Sequence, residues 1–282
     1  MRKSPKTIIS LFLLIFLACE VFAQVRPARK KHYELFYNST TFVVLHRDPF
    51  SEFNKYMQEA MEKHWTITPF RFITFEEFER MRTNERASFM ILADIEQKNL
   101  DHTYSFINFV MGDSKRDFEG MPDLASVPLS YLDADDYNHL YKMGAFVKFM
   151  QTHARDSDST PRMRLAKIMN VRDDQLKQME LWVLKHELDP RIDTEEKIRK
   201  YYPYRVKIAT QQEIEEAIAE DRADVAFFHK IGPEDTTRNG RGICWKFIVS
   251  AKDGSILYSS SHDVSNTEPD ALLISDLEKM AK

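Results

Sequence analysis

The sequence has 282 residues and a formal net charge of −4, from 40 basic and 44 acidic residues. A mildly acidic chain lacks the basic surface that binds phosphate backbones, so we expect no nucleic-acid partner. Of its two cysteines, Cys19 lies in the N-terminal apolar segment, which leaves Cys244 without a partner for an internal disulfide. Stability must therefore come from apolar burial, for which a chain of this length is sufficient.

The N-terminal segment, residues 1–23, has the three parts of a secretory signal peptide. The start is basic, residues 7–18 are uncharged and mostly apolar, and small-residue positions end at Ala23. This apolar block is shorter than the roughly 20 residues that span a bilayer. We therefore expect export, cleavage near Ala23, a periplasmic or extracellular location, and no transmembrane anchor afterwards. The alternative is a lipoprotein anchored at Cys19.

The residues after the signal peptide predict a flexible lead-in over 24–36 and a first α/β unit over 37–156. This unit begins with the apolar run TTFVVLH, which predicts a strand, followed by the amphipathic helix SEFNKYMQEAMEKHW. The segment PFRFI predicts a second strand. Thr74 then caps a short helix with Glu77 three residues later, and ASFMILA predicts a third strand.

The first unit closes with two strands and a helix. Strands are predicted over 104–113 and 124–131, and Pro128 places the second of these at a sheet edge, because proline cannot donate to a ladder. The acidic residues over 133–136 are interpreted as helix caps rather than a calcium loop, which would need a glycine and a distal glutamate. The helix that they begin ends near residue 156, and residues 157–172 are interpreted as a connector with some helix.

The second unit, residues 173–282, repeats the pattern of the first. The segment that begins at Thr210 aligns without a gap with the segment that begins at Thr74, and Glu213 stands at the position of Glu77. Matched caps and apolar positions in one register indicate an internal duplication. The predicted fold is α/β of the α+β type, with two tandem related units, each a mixed sheet of order β-α-β-α-β-β-α with helices packed on it.

The closing hairpin of the second unit carries the only candidates for chemistry. A turn with Gly254 in the left-handed conformation places Cys244 opposite His262, with His229 on the preceding strand. A thiol and an imidazole could form a nucleophilic pair, or the three side chains could hold a metal, but no residue is predicted to orient the base. Since a single strand cysteine is usually a small apolar core residue, we assign no catalytic residue, no metal and no cofactor.

Other motifs of catalysis are missing from the sequence. The segment HELDP has Pro190 where a zinc-protease helix would need its second histidine. With only 7 glycines, the chain has no glycine-rich phosphate loop. No Cys-x-x-Cys motif is present, so thiol exchange is excluded although a thioredoxin-like sheet is compatible with the element order.

Two resemblances follow from these motifs. The stretch TTFVVL with EKHWTITPFRFITFEEFE resembles a family of exported proteins of the Bacteroidetes, which implies export and no particular activity. Separately, RADVAFFHKI with CWKFIVSAKDGSILYSSSHDV is similar to periplasmic modules of the TolB N-terminal and CsgG type. In those modules a helix, a strand and a hairpin with a D-x-G-like turn follow one another, and the insertion GPEDTTRNGRG departs from their short connection.

The sequence thus favours a non-enzymatic protein of the cell envelope that binds an envelope protein or a glycan, with no prediction of oligomeric state. The surfaces predicted to bind are the sheet edge near Pro128 and the loops over 112–123 and 232–242. The alternative is a hydrolase that works in a cleft between the units, around His229, Cys244 and His262.

Overall fold

A computed structural model describes residues 26–96, 103–114, 117–131, 137–159, 171–233 and 242–282. The predicted signal peptide with Cys19, the caps over 133–136 and most of the loop over 232–242 lie outside these residues. Two mixed sheets with helices packed on them form the described part of the chain, as predicted for an α/β protein. Within these residues no helix combines the length and the apolar character needed to cross a bilayer.

The first sheet has the strand order β1-β6-β5-β4-β2-β3. Its strands are β1 (Arg26–Pro27), β2 (Thr40–Val44), β3 (Phe70–Ile73), β4 (Ala87–Glu96), β5 (Thr103–Met111) and β6 (Pro122–Tyr131). The helices of this unit are α1 (Lys30–Tyr37), α2 (Glu52–His64), α3 (Phe75–Met81), α4 (Tyr137–Leu140) and α5 (Met143–Ser159), and a 3-10 turn covers Phe118–Gly120.

The second sheet has the strand order β11-β10-β9-β7-β8. Its strands are β7 (Glu180–Val183), β8 (Val206–Ile208), β9 (Val225–Ile231), β10 (Ile243–Ser250) and β11 (Ile256–Asp263). The helices are α6 (Glu195–Arg199), α7 (Gln211–Ala219) and α8 (Ile274–Ala281), with 3-10 turns at Asp174–Gln178, Lys185–Glu187 and Pro190–Ile192.

The two units share one topology. In the first, β2 pairs in parallel with both β3 and β4, and β5 pairs antiparallel with β4 and β6. In the second, β7 pairs in parallel with β8 and β9, and β10 pairs antiparallel with β9 and β11. Thr74 and Thr210 both form the predicted capping boxes with Glu77 and Glu213. From β2 and from β7 onward the repeated order is β-α-β-α-β-β-β-α, which has one strand more per unit than the predicted order. The repetition itself supports the interpretation of an internal duplication.

Each sheet is covered on both faces because its helices are amphipathic. In the first unit, α2 and α5 bury Met57, Met61 and Phe146 against one face, while α3 buries Phe78 against the other. In the second unit, α8 covers one face with Leu277, and α7 covers the opposite face. Burial of each large apolar side chain contributes about 2 kcal/mol to folding.

The predicted flexible lead-in over 24–36 is wrong for the residues described. Arg26 and Pro27 pair with the start of β6, and α1 follows at once. Within the basic run of this segment, the rings of Tyr33 and Phe36 are fully buried, and the Tyr33 hydroxyl donates to the Leu124 carbonyl at 3.1 Å. The burial of two aromatic rings outweighs the exposed charges, so the first unit begins at Arg26 rather than at residue 37.

The predicted connector over 157–172 is wrong at both of its ends. Helix α5 continues to Ser159. At the other end, the Val171 N–H donates to Ser259 Oγ at 2.9 Å, and Arg172 forms a bridge with Tyr258 of β11. Residues 171 and 172 are therefore attached to the second sheet, and residues 160–170 lie outside the described part.

The units meet through a packed apolar cluster and not through an open cleft. Tyr104 and Phe106 of β5 pack on Trp245 of β10, with ring centroids 4.5 and 5.9 Å away. The turn between β10 and β11 lies against α5: Gly254 has a φ of +72°, and a side chain there would clash with the Ala145 carbonyl oxygen. At these contacts between described residues, apolar side chains and backbone fill the space where the sequence predicts a cleft.

The predicted edge position of Pro128 is confirmed, because β1 pairs only with Pro122 and Asp123 of β6, but this edge is buried rather than exposed. Pro128 is buried, and it lies at a bulge where the pairing of β5 with β6 shifts register. The Pro128 carbonyl lies 3.3 Å from the Nε2 atom of His229 in the second unit. The proline does stand where the ladder is interrupted, but the second unit covers it.

Candidate functional site

The predicted pairing of Cys244 with His262 is confirmed, because β10 and β11 place these residues directly opposite each other. The thiol is fully buried, and this burial raises the pKa of Cys244 well above its usual value. His262 Nε2 lies 2.9 Å from the Pro269 carbonyl. A carbonyl only accepts, so this nitrogen carries the proton and is not free to take one from the thiol. The thiol is therefore a buried core group, whereas His262 is half-buried and its Nδ1 atom has no hydrogen-bond partner among the described residues.

His229 does not join this pair. It lies opposite Phe247 on β10, and since side chains alternate along a strand, the side chains of His229 and Cys244 are on opposite faces of the sheet. The His229 ring points toward the first unit and packs on His139 with ring centroids 5.5 Å apart. Complete burial lowers the pKa of His229 well below its usual value and keeps the ring neutral. The three predicted site residues thus do not converge: Cys244 and His262 lie opposite each other on one face of the sheet, and His229 lies on the other.

A buried ion pair that the sequence does not reveal lies beneath α8. The Lys246 ammonium donates to the Asp276 carboxylate, and both side chains are almost completely buried. Asp276 also accepts from Tyr258 Oη and Ser260 Oγ, each at 2.8 Å, and from the Leu273 N–H at 3.0 Å. Burial raises the pKa of Asp276, but Lys246 and these donors outweigh it, so the pKa lies below its usual value. Both carboxylate oxygens are occupied, which identifies the pair as structural.

A second buried pair joins Lys230 to Asp270, near the end of β9. Burial alone lowers the pKa of Lys230, but the Asp270 carboxylate outweighs it and the pKa lies above its usual value. Gly232 is required beside this pair, because a Cβ atom there would clash with Asp270 Oδ1. Among the described residues no cluster of three or more His, Cys, Asp or Glu side chains is arranged to hold a metal ion.

Two lysines bind the units together. Lys142 is fully buried and donates to the Phe228 carbonyl at 3.1 Å, with Glu187 at 3.5 Å. Burial lowers the pKa of Lys142. Lys148 of α5 donates to the Ile218 carbonyl at the end of α7 at 2.6 Å. These contacts span the two units.

The surface of the first unit carries a shallow depression of about 290 Å³ along the first turns of α2, lined in part by Phe50, Glu52, Gln58 and Glu62. Phe50 is 91% exposed. Its loop is rigid, because Asn54 Nδ2 donates to two loop carbonyls, at 2.8 and 3.1 Å. The depression is polar and open to solvent, and α2 runs from it toward the start of β3.

Strand β3 is an open edge of the first sheet. The Thr41 N–H donates to the Pro69 carbonyl at 2.9 Å, and the parallel register continues this alternation along β3. It follows that Phe70 and Phe72 direct their N–H and C=O groups away from β2. Within the described part of the chain no hydrogen bond reaches these outward groups. An unpaired strand edge of this kind is a template for another strand.

The equivalent edge of the second sheet is closed by two side chains of α6. Glu195 Oε1 accepts from the Ile208 N–H at 3.1 Å, and Arg199 Nη2 donates to the Val206 carbonyl at 3.3 Å. The two side chains also pair with each other at 2.7 Å. Val206 and Ile208 stand at the positions of Phe70 and Phe72 in the alignment that matches Thr210 with Thr74. The Val206 carbonyl and the Ile208 N–H are therefore satisfied in the second unit, whereas their counterparts in the first unit, the Phe70 carbonyl and the Phe72 N–H, have no partner among the described residues.

The helices next to these edges align by their buried residues. Met61 of α2 corresponds to Ile198 of α6, and both are fully buried. Four residues later, Trp65 corresponds to Tyr202, and both rings are buried. This alignment fixes which residues of α2 correspond to those of α6.

Gln58 and Glu62 occupy the positions of Glu195 and Arg199 in this alignment. Neither side chain makes a hydrogen bond or an ion pair with any described residue. The glutamate and arginine that close β8 therefore have no counterpart beside β3. The difference between the two residue pairs is visible in the sequence once the repeat is aligned. Only the structure shows that Glu195 and Arg199 hydrogen-bond the backbone of β8.

Comparisons with family models, with curated proteins and with solved structures give no match for this chain. The likenesses to exported Bacteroidetes proteins and to TolB and CsgG modules stay predictions from sequence. A functional assignment therefore depends on the geometry of the chain, and its most distinctive feature is the open edge at β3.

Proposed function

We propose that this chain is an exported, non-enzymatic binding protein of the cell envelope, and that it holds an extended polypeptide segment of an envelope protein by strand addition at β3. The observation that carries the proposal is that the outward backbone groups of Phe70 and Phe72 have no partner among the described residues, whereas the second unit satisfies one such group at each equivalent position, the Val206 carbonyl and the Ile208 N–H. Main-chain hydrogen bonds to such an edge supply the affinity in strand addition.

Export is supported by the signal-like pattern of residues 1–23, with cleavage near Ala23 or, in the alternative, lipid attachment at Cys19. A polypeptide is a better partner than a glycan for β3, because its backbone has the alternating donors and acceptors that the edge presents. The buried thiol and the separated histidines favour binding over hydrolysis.

The test compares two substitutions at Phe72 in the mature protein. Phe72→Pro removes an N–H that points away from β2, whereas Phe72→Ala removes the same ring and keeps that N–H. Both variants should fold with similar stability. We expect the alanine variant to capture peptides from a synthetic library of extended octapeptides, and the proline variant to lose at least tenfold in affinity.

The location of the bound peptides is read from amide hydrogen exchange. Bound peptides should protect the amides of Phe70 and Phe72, and leave the exchange at β8 unchanged. Equal capture by the alanine and proline variants, or protection elsewhere only, would rule out strand addition at β3.

A further inference from the structure

We infer that the segment held at β3 carries an acidic side chain opposite Arg71, with an apolar residue on each side of it. This inference rests on the proposed strand addition and specifies its partner. It follows from the faces on which the three side chains of the edge lie, from the missing ion-pair partner of Arg71, and from the poor fit of a second copy.

The side chains of β3 divide between two faces of the sheet. Phe70 and Phe72 lie on the same face, half-buried, with ring centroids 5.6 Å apart, and both pack on the apolar cluster beneath α2. Arg71 points to the other face and is exposed. In an added strand, the residue opposite Arg71 shares its face, and the two neighbours of that residue lie beside the phenylalanine rings.

Arg71 has no ion-pair partner among the described residues and makes no side-chain hydrogen bond with any of them. The equivalent residue of the second unit, Lys207, is occupied twice. Its ammonium donates to Glu213 Oε1 at 2.7 Å and lies 4.4 Å from the ring centroid of Trp182. The first unit thus leaves both its edge cation and its edge backbone available, while the second unit uses both internally.

A second copy of the chain is a poor occupant of this edge. Two β3 strands that pair antiparallel and use both Phe70 and Phe72 of each copy must place Arg71 directly opposite the same arginine of the other copy. Like charges directly opposite each other destabilise a strand pair. A segment with a carboxylate at that position converts the repulsion into an attraction.

The experiment uses two synthetic octapeptides in which valine and threonine alternate, with valine on the face of the phenylalanine rings. They differ in one central residue of the other face, which is aspartate in one peptide and lysine in the other. Fluorescence anisotropy measures the binding of each to the mature protein. We expect the aspartate peptide to bind about fivefold more tightly, as a cross-strand pair of opposite charges gives up to about 1 kcal/mol.

Charge reversal provides the matched controls. Arg71→Glu should invert the preference between the two peptides, whereas Lys207→Glu, at the equivalent position of the closed edge, should leave it unchanged. Amide exchange at Phe70 and Phe72 reports whether binding occurs at β3 in each case.

The outcomes separate this inference from the proposed function. Equal binding of both peptides, with Phe70 and Phe72 protected, overturns the acidic partner and leaves strand addition standing. Binding without protection at β3 overturns both. A dimer in sedimentation that protects these amides without peptide shows that a second copy is the occupant, and also overturns the inference.

Discussion

Strands β3 and β8 occupy the same place in two copies of one topology, yet one edge is open and the other is closed. Closing β8 takes only Glu195 and Arg199, one turn apart on a short helix. The longer helix beside β3 has Gln58 and Glu62 at these positions and leaves the edge free. The comparison teaches that the availability of a sheet edge depends on two side chains of a neighbouring helix rather than on the strand itself.

The largest difference between the sheets concerns the charges that they bury. The second sheet buries the pair of Lys246 and Asp276, whereas the ion pair of Arg26 with Asp113 in the first unit is partly exposed. Asp276→Asn leaves the ammonium without its partner, so we expect a loss of about 3 kcal/mol in the free energy of unfolding. Urea denaturation measures this loss. Asp193→Asn, which breaks an exposed ion pair, is the control and should leave the free energy of unfolding nearly unchanged.

The same carboxylate makes stability depend on pH. The folded state holds the pKa of Asp276 below its unfolded value, so its contribution is complete above about pH 4 and is lost as the pH falls through the folded pKa. The Asp276→Asn variant should show a shallower loss of stability in this acidic range. Identical acid profiles for the two proteins would contradict the role of this pair.

Opening the second edge should make it resemble the first. Replacing Glu195 and Arg199 by alanine frees the groups of Val206 and Ile208 and should cost about 1 kcal/mol through the lost hydrogen bonds. Octapeptides should then protect the Ile208 amide as well, and titration should show two sites in place of one. A matched variant with Asp193 and Lys197 replaced by alanine removes an exposed ion pair between α6 and the residue before its N-cap. An unchanged stoichiometry would show that β8 is closed by something other than this pair.

Transferring the cap to the first unit should have the smallest effect on stability. Gln58→Glu combined with Glu62→Arg places the charges of α6 beside β3, at exposed or half-buried positions where stability changes little. Peptide affinity at β3 should fall by about fivefold, because the added side chains compete for the backbone groups of Phe70 and Phe72. Each single substitution leaves one backbone group open, so the peptide affinity of each single variant should lie between those of the unmodified protein and the double variant. Full affinity in the double variant would contradict the alignment of α2 with α6.

The features that sequence predicts well are those set by local chemistry. The capping threonines, the left-handed Gly254 and the opposition of Cys244 and His262 all follow from spacing within a few residues, and the structure confirms them. The repeated strand order follows from the same kind of signal. These elements are fixed by hydrogen bonds and side-chain alternation that a short segment contains in itself.

The features that sequence misses depend on contacts between distant segments. Lys246 and Asp276 are separated by 30 residues, and nothing local marks them as partners. Pro128 reads correctly as a residue that interrupts a ladder, but its burial depends on His229, 101 residues later. The open edge at β3 is a third case, because its outward backbone groups stay unpaired only where α2 lacks a glutamate and an arginine like those of α6.

The turn at Gly254 has a consequence for the history of the molecule. The tip of the last hairpin packs against α5, a helix of the opposite half, so closely that a Cβ atom at residue 254 would clash with the backbone of α5. Lys148 of that helix is in turn engaged by carbonyls of the opposite half. If the halves descend from one ancestor, they are no longer exchangeable. Removing either half would remove packing and hydrogen-bond partners that the other half needs.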